Sequence, residues 1–232
     1  MDIRILQLIE GAKMAEGITV VIDVFRAFSL ESYMMAQGAK TVIPVGDAEL
    51  AYRLKRENPE MILAGGRDGK IMPGFDLGNS PTDLQNGIDV TGKTVIHTTS
   101  AGTQGIANAV NASKILCGAL VNARATAEYI RSLNPEKVSL VCMGLAAKEP
   151  TEEDTLCAEY IKSILLGSTI DLEAGIENLK VTSGAKFFDK TQNDVFPEMD
   201  FHYCTQVDKF DFALEVETDA QGLSRVVKRN MG

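Results

Sequence analysis

Ile18-Thr19-Val20-Val21-Ile22-Asp23-Val24-Phe25-Arg26-Ala27 reads as a buried β-strand that ends on an acid and passes into a helix. Ile18 to Ile22 is a short run rich in β-branched residues, the pattern of a strand covered on both faces. A helix from about Ala27 to Gln37 follows. The same unit then repeats. Thr41-Val42-Ile43 gives the next strand, and Asp47 caps a helix running to about Glu57. Met61 to Ala64, Thr94 to Thr98, Lys114 to Leu116 and Val138 to Cys142 complete the strand series, with helices near Gln104 to Val110, Ala123 to Leu133 and Glu152 to Leu166 between them. This alternation predicts an α/β fold, a layered α/β/α arrangement with a largely parallel sheet. After about Gly167 the rhythm changes. Phe212 to Glu217 alternates apolar and acidic residues, the mark of a half-exposed strand. Thr218 to Gly222 supplies a turn, and Leu223 to Val227 returns as the partner of a hairpin. The expected organisation is a main α/β domain over residues 1–166 carrying the site. A smaller C-terminal α/β portion over 167–232 packs on it.

The bulk properties exclude several classes. At 232 residues the chain can bury a sizeable core. Its net charge of −9 argues against general nucleic-acid binding, because phosphate backbones attract basic surfaces. A local cationic pocket for a small anion is still compatible with it. No apolar stretch approaches the roughly 20 residues of a membrane helix, and no secretory signal is evident, so a cytoplasmic location is expected. Cys117, Cys142, Cys157 and Cys204 form no Cys-x-x-Cys pair and are expected as reduced, mostly buried thiols. With His97 and His202 they make no recognisable zinc spacing.

Polar residues collect after the strands. Ile22 is followed by Asp23 and Arg26. Ala64 leads into Gly65-Gly66-Arg67-Asp68-Gly69 and a long loop, with five glycines between Gly65 and Pro81. Glycine lets backbone amides approach a ligand closely, and so long a connection is unusual in a compact domain. Ser80-Pro81 then fits a helix N-cap with proline in the first turn. Ile96 leads into Thr98-Thr99-Ser100-Ala101-Gly102-Thr103. Leu116 leads to Asn122 and Arg124, and Cys142 leads through Lys148 to Glu152, Glu153 and Asp154. In a parallel sheet these carboxyl ends share one edge, where open α/β sheets bind ligands.

The chemistry this set supports is narrow. Thr98, Thr99, Ser100, Gly102 and Thr103 open a helix, whose N-terminus is an anion site. Arg26 and Arg67 can clamp an oxyanion through planar forks. Asp23, Glu152, Glu153 and Asp154 supply hard oxygen ligands suited to Mg²⁺. Together they suggest metal-assisted phosphoester hydrolysis. Direct attack by water and transfer through an aspartate are both compatible with the set. Plainer roles exist for each residue. Asp23 can cap the following helix, the acids at 152–154 oppose a helix dipole, Arg26 can join a surface ion pair, and His97 can be a satisfied strand-end residue. His202, Lys148 and Arg124 are weak candidates.

Two motifs mislead. Gly87-Ile88-Asp89-Val90-Thr91-Gly92-Lys93-Thr94 fits the P-loop pattern, but it follows a helix and enters a strand, the inverse of the required context. Cys117 and Arg124 stand one residue too far apart for the cysteine-phosphatase signature. The second aspartate of haloacid-dehalogenase-type phosphatases is absent, because Phe25 holds that position, and no Gly-x-Gly-x-x-Gly occurs.

Four stretches in order carry a resemblance: Val21-Ile22-Asp23-Val24-Phe25-Arg26-Ala27, Gly74-Phe75-Asp76-Leu77-Gly78-Asn79-Ser80-Pro81, Thr98-Thr99-x-x-Gly102-Thr103 and Glu153-Asp154-Thr155-Leu156-Cys157-Ala158. Together they resemble the 2-phosphosulfolactate phosphatase family, associated with coenzyme M biosynthesis. The likeness is strongest over residues 18–165. It implies a Mg²⁺-dependent acid phosphatase acting on the phosphate ester of a small anionic hydroxy acid, on an α/β scaffold unlike other phosphatases. It also implies a homodimer. On this reading Asp23, Arg26, Arg67 and Asp154 are catalytic, and Asp23 with Glu152, Glu153 or Asp154 holds the metal. Thr98, Thr99, Ser100, Gly102, Thr103 and Asn79 bind substrate. The chain departs from the family pattern at Gly66, where a glutamate is usual, and at Ala101, where an asparagine is usual. Phe28 and Leu30 replace small hydroxyl residues. These departures keep two alternatives open: a non-catalytic binding protein for a small phosphorylated or sulfonated acid, and a phosphatase for another metabolite such as phospholactate or a sugar acid phosphate.

Overall fold

The structure is a computed structural model that describes residues 1–67, 69–220 and 222–230. Asp68 of the glycine loop and Gln221 of the predicted turn lie outside the described residues. The chain runs β1 (Asp2–Gln7), α1 (Leu8–Met14), β2 (Gly17–Ile22), α2 (Ala27–Ala36), β3 (Thr41–Pro44), α3 (Ala48–Glu57), β4 (Ile62–Arg67), β5 (Lys70–Ile71), α4 (Pro81–Gln85) and β6 (Thr94–Thr98). It continues through α5 (Gly102–Asn108), β7 (Ala112–Gly118), α6 (Ala123–Leu133), β8 (Lys137–Cys142), α7 (Glu152–Leu166), α8 (Leu172–Leu179), α9 (Glu198–Cys204), β9 (Phe212–Thr218) and β10 (Ser224–Asn230).

The caps read from sequence are present. The Asp47 carboxylate accepts from the Glu49 amide at 3.0 Å, and Ser80 Oγ accepts from the Asp83 amide at 3.2 Å. Helix α7 stops at Gly167, which takes a left-handed φ of 70°, a conformation that costs glycine little. The P-loop-like stretch enters β6 as a turn, in keeping with its inverted context. All four cysteines are buried and unpaired.

The described strands form a mixed, mostly parallel sheet of order β1-β8-β2-β7-β9-β10-β3-β6-β4-β5, flanked by helices as a layered α/β fold. Its topology alters the expectation of one common rim. The group β1-β8-β2-β7 is parallel within itself, and so is β3-β6-β4. Between them the junctions β7–β9, β9–β10 and β10–β3 are all antiparallel. The two parallel groups therefore run in opposite directions. The C-terminal hairpin, expected as part of a smaller portion packed on the main domain, supplies two central strands of the sheet. Its first strand is not half-exposed as the alternation suggested. Glu215 is buried on β9, where Tyr129 Oη and Arg229 Nε each donate to it at 2.7 Å and Lys114 of β7 pairs with it. Acidic spacing marked a solvent face, whereas the acid is internal because cations reach it.

Twist restores the convergence that parallel running was expected to give. Five strand steps separate β2 from β6. At roughly 20–25° per step the accumulated rotation is about 100–125°, which turns the carboxyl end of β6 toward that of β2. The Gly102 amide, just beyond β6, donates to the Asp23 carboxylate, just beyond β2, at 2.7 Å. Helix α2 fills the hollow of this curved sheet. Ala27 to Met35 are all buried, as expected for a helix with no face turned to water. Its Glu31 meets His97 of β6 at 2.7 Å, while the helix also packs on β3 and β7. Among the described residues no helix is long and apolar enough to cross a membrane.

Candidate active site

A cavity of about 350 Å³ opens where these ends meet. Asp23, Arg26, Asn79, Thr99, Ser100 and Glu153 line it, together with Lys148, Lys186, Phe25 and Phe196. Five chain segments therefore contribute, although they come from both parallel groups of the sheet.

Asp23 is fixed at the end of β2. One carboxylate oxygen accepts from the Ala27 amide at 3.1 Å and the other from Gly102. It thus has the capping role and faces the cavity as well. Burial pushes its pKa up to about 6, against the lowering effect of the two amides, and the neighbouring Glu153 adds to the rise. Asp154 sits behind it, with one oxygen on the Val24 amide and the other on the Gly144 amide, each at 2.8 Å. It bolts the loop after β8 to the loop after β2. Burial first, then Glu153 and Asp23, hold its carboxyl well above the usual range. Glu153 is 3% exposed, and its Oε2 has no hydrogen-bond partner. Burial raises its pKa too. Glu152 is exposed and lines a separate groove beside Gly175 and Leu179. A helix places successive side chains about 100° apart, so adjacent acids cannot all face one point.

Arg26 is no surface residue. It is 4% exposed and paired with the fully buried Asp200 at 2.6 Å. Its Nη1 also donates to Val195 O and its Nη2 to Gly69 O, each at 2.9 Å. Its guanidinium carbon lies 5.1 Å from the centre of the Phe196 ring. Asp200 further accepts from Ser80 Oγ at 2.8 Å and from the Thr82 amide and hydroxyl at 2.9 and 2.7 Å. The fork expected to clamp substrate is thus largely taken up by protein acceptors, and what Arg26 offers the cavity is chiefly fixed positive charge.

The helix-terminus anion site is altered in the same way. Gly102 N–H is held by Asp23, while Thr99 and Thr103 bond each other, Thr103 N to Thr99 Oγ1 at 3.2 Å and Thr99 N to Thr103 Oγ1 at 3.0 Å. Among the described residues, the amides of Ser100 and Ala101 have no protein acceptor. Thr98, Thr103, Gly102, Asp154 and Arg67 form a layer behind the cavity wall, Arg67 donating to Thr98 Oγ1 at 3.0 Å and to Gly66 O at 3.0 Å. Asn79 reaches the cavity with its Oδ1 2.7 Å from His97 Nε2, so His97 supports a lining residue from behind. Arg124 pairs with Asp208, and His202 lies near Glu198 on the surface.

The long glycine-rich connection is stitched to the sheet. Gly65 N donates to Leu77 O at 2.9 Å, and Asp76 Oδ2 accepts from the Leu63 amide at 2.8 Å. A side chain at Gly66 would put its Cβ 2.4 Å from Lys70 O, so the β4–β5 turn leaves no room there for a glutamate.

Sequence reasoning missed Lys186, Phe196 and the partner role of Asp200. Lys186 and Phe196 lie in or just after a stretch with 3-10 turns at Ala185–Phe188 and Lys190–Gln192, and Asp200 lies on the seven-residue α9. Such turns are too short to leave a periodic signal.

An α/β protein with buried carboxylates, fixed cations and unclaimed amides around a small cavity is suited to binding and processing small anions. The family model described as 2-phosphosulpholactate phosphatase matches residues 3–219. A probable 2-phosphosulfolactate phosphatase of Bacillus subtilis is 35% identical over 225 residues, 95% of this chain and 96% of its own. Proteins of the same description from Caldicellulosiruptor saccharolyticus (35% identity; 82% of this chain, 78% of the relative) and Carboxydothermus hydrogenoformans (38%; 71% and 68%) are also similar. The chain belongs to the 2-phosphosulpholactate phosphatase family, a family of phosphoric monoester hydrolases.

Proposed function

We propose that this protein hydrolyses the phosphate monoester of a small anionic hydroxy acid, 2-phosphosulfolactate or a close analogue, with the help of Mg²⁺. The observation that carries the reading is the cavity itself, in which the Asp23 and Glu153 carboxylates share a wall with Arg26 and with the open amides of Ser100 and Ala101. The names of the relatives support the choice of substrate.

The orphaned Oε2 of Glu153 suits a bound cation, as do the Asp23 and Asp154 carboxyls, whose pKa values burial and the nearby Glu153 raise. Among the described residues no three His, Cys, Asp or Glu side chains form a ready-made cage. That suits Mg²⁺, which takes one or two carboxylates and completes its shell with water and substrate phosphate. Asp23 and Glu153 would hold it, and when bound it would draw charge from the phosphoryl oxygens. The Ser100 and Ala101 amides would take phosphoryl oxygens, and the fixed charge of Arg26 would stabilise the negative charge that develops. Hydrolysis breaks the ester P–O bond as an oxygen from water bonds to phosphorus. The electron pair leaves with the hydroxy-acid oxygen, which takes up a proton.

A panel of phosphorylated hydroxy acids, assayed with and without chelator, tests this. Phosphate release is expected from a three-carbon acid ester and is expected to stop in chelator. Asp23→Asn should abolish release while the protein remains folded. Turnover unaffected by chelator would remove Mg²⁺ from the reading. Turnover unaffected by Asp23→Asn would remove Asp23. Gly66 and Ala101, both on the cavity wall, favour a second reading as a non-catalytic binding protein. Thermal stabilisation by the same esters without any release would support it.

A further inference from the structure

Lys186 stands on the cavity wall in an unusual setting. Its ammonium nitrogen lies 5.9, 5.5 and 5.4 Å from the ring centres of Phe25, Phe187 and Phe196. Ring faces attract a cation without supplying a hydrogen-bond acceptor. Among the described residues, no hydrogen bond or ion pair claims this ammonium group. A largely buried lysine is ordinarily paired. Glu153 lines the same cavity, close enough for its charge to act on Lys186, and presents a buried carboxylate oxygen without a hydrogen-bond partner. Arg26 differs from Lys186, because Asp200 already neutralises it. The cavity therefore holds an ammonium with unused donors and a carboxylate oxygen with unused acceptor capacity. They are not joined to each other.

Unused capacity of both kinds in one small space calls for a ligand that brings acceptor oxygens together with a cation. A phosphoryl group accompanied by a divalent cation does so. We propose that Lys186 is a phosphoryl-binding residue of this cavity, its ammonium donating to a phosphoryl oxygen. The inference rests on the phosphatase reading for the identity of the anion. A lysine donates as a compact point charge with three rotatable hydrogens, and its aromatic collar fixes the ammonium in place before the ligand arrives. Phe25 joins this collar to the loop that carries Asp23, so the cation and the carboxylates are positioned by one segment.

Calorimetric titration with inorganic phosphate in the presence of Mg²⁺ tests the assignment on the wild type, Lys186→Met and Lys186→Arg. Methionine keeps the apolar stem among the rings, and denaturant unfolding of each variant confirms that it folds. Phosphate affinity is expected to fall roughly tenfold or more in Lys186→Met, as for a lost charge-assisted hydrogen bond. Lys186→Arg should recover most of it. A smaller loss in a folded Lys186→Met protein overturns the assignment, and so does a wild type that binds no phosphate. If the wild type binds phosphate through Lys186 but hydrolyses no ester, the phosphatase reading fails and this inference stands. If the wild type hydrolyses esters and Lys186→Met binds phosphate equally well, the reverse holds.

Discussion

Asp200→Asn is expected to destabilise the protein severely, although the change is nearly isosteric. Asp200 is fully buried and is the counter-ion of Arg26, itself 4% exposed. Three donors from Ser80 and Thr82 also converge on its Oδ1. An asparagine oxygen can serve those three donors, but its amide nitrogen would then face Arg26 Nη1, donor against donor. The guanidinium is left buried without compensating charge, a loss of about 3–5 kcal/mol. With a urea slope near 3 kcal/mol per molar, the unfolding midpoint should drop by about 1–1.7 M. The exposed Lys137–Glu16 pair provides the contrast, and Glu16→Gln should leave the midpoint in place. A double-mutant cycle with Arg26→Met isolates the pair, because the methionine removes the stranded charge. The double variant should cost less than the sum of the singles by about 1 kcal/mol or more. Additive losses, or a midpoint within about 0.3 M of wild type for Asp200→Asn, would refute the argument that this pair locks the cavity wall.

Further predictions follow from the same wall. The Asp23 carboxyl titrates near 6 and not at 3.8, so the cost of burying its charge is absent below the ordinary value and fully present above about 6. In metal-free protein the stability of the wild type relative to Asp23→Asn should therefore fall by on the order of 3 kcal/mol between pH 4 and 7. Urea titrations at both ends measure this, and a difference that rises or stays flat contradicts it. Gly65 holds a φ of 129°, and a Cβ there would lie 1.9 Å from Thr98 O. Gly65→Ala should cost at least about 2–3 kcal/mol, and a thermal midpoint near wild type would show that β4 can shift. His97→Ala strips the buried Glu31 of its partner and Asn79 of its support. It should lower stability by about 1–3 kcal/mol and raise KM, and an unchanged KM would separate Asn79 from substrate binding.

What the sequence made legible was local. The β-branched runs at Ile18 to Ile22 and Thr94 to Thr98, with Asp47 and Ser80 as caps, mark their elements because the signal lies within a few neighbouring residues. The reversal of the second parallel group was hidden, because strand direction depends on where the hairpin Phe212 to Asn230 inserts. Nothing in that hairpin's own composition says so. The acids at Asp23 and Glu153 were legible as cavity residues. Asp154 and Gly102, read as ligand contacts, also fasten the backbone, which was hidden because a carboxylate and an amide look the same in sequence whichever partner they meet. Lys186 and the pairing of Asp200 were not legible, because their importance comes from three phenylalanine rings brought together by folding and from the burial of Arg26.

The late position of the β9–β10 hairpin governs how the molecule can be made. Until residues 212–230 have left the ribosome, β7 and β3 each present a bare, bondable margin. The two flanking groups have no ladder between them during that interval. Joining the two groups is thus a step like closing a zip in the middle of a garment whose two sides are already sewn. A cell making this chain must shield two sticky borders until the hairpin arrives.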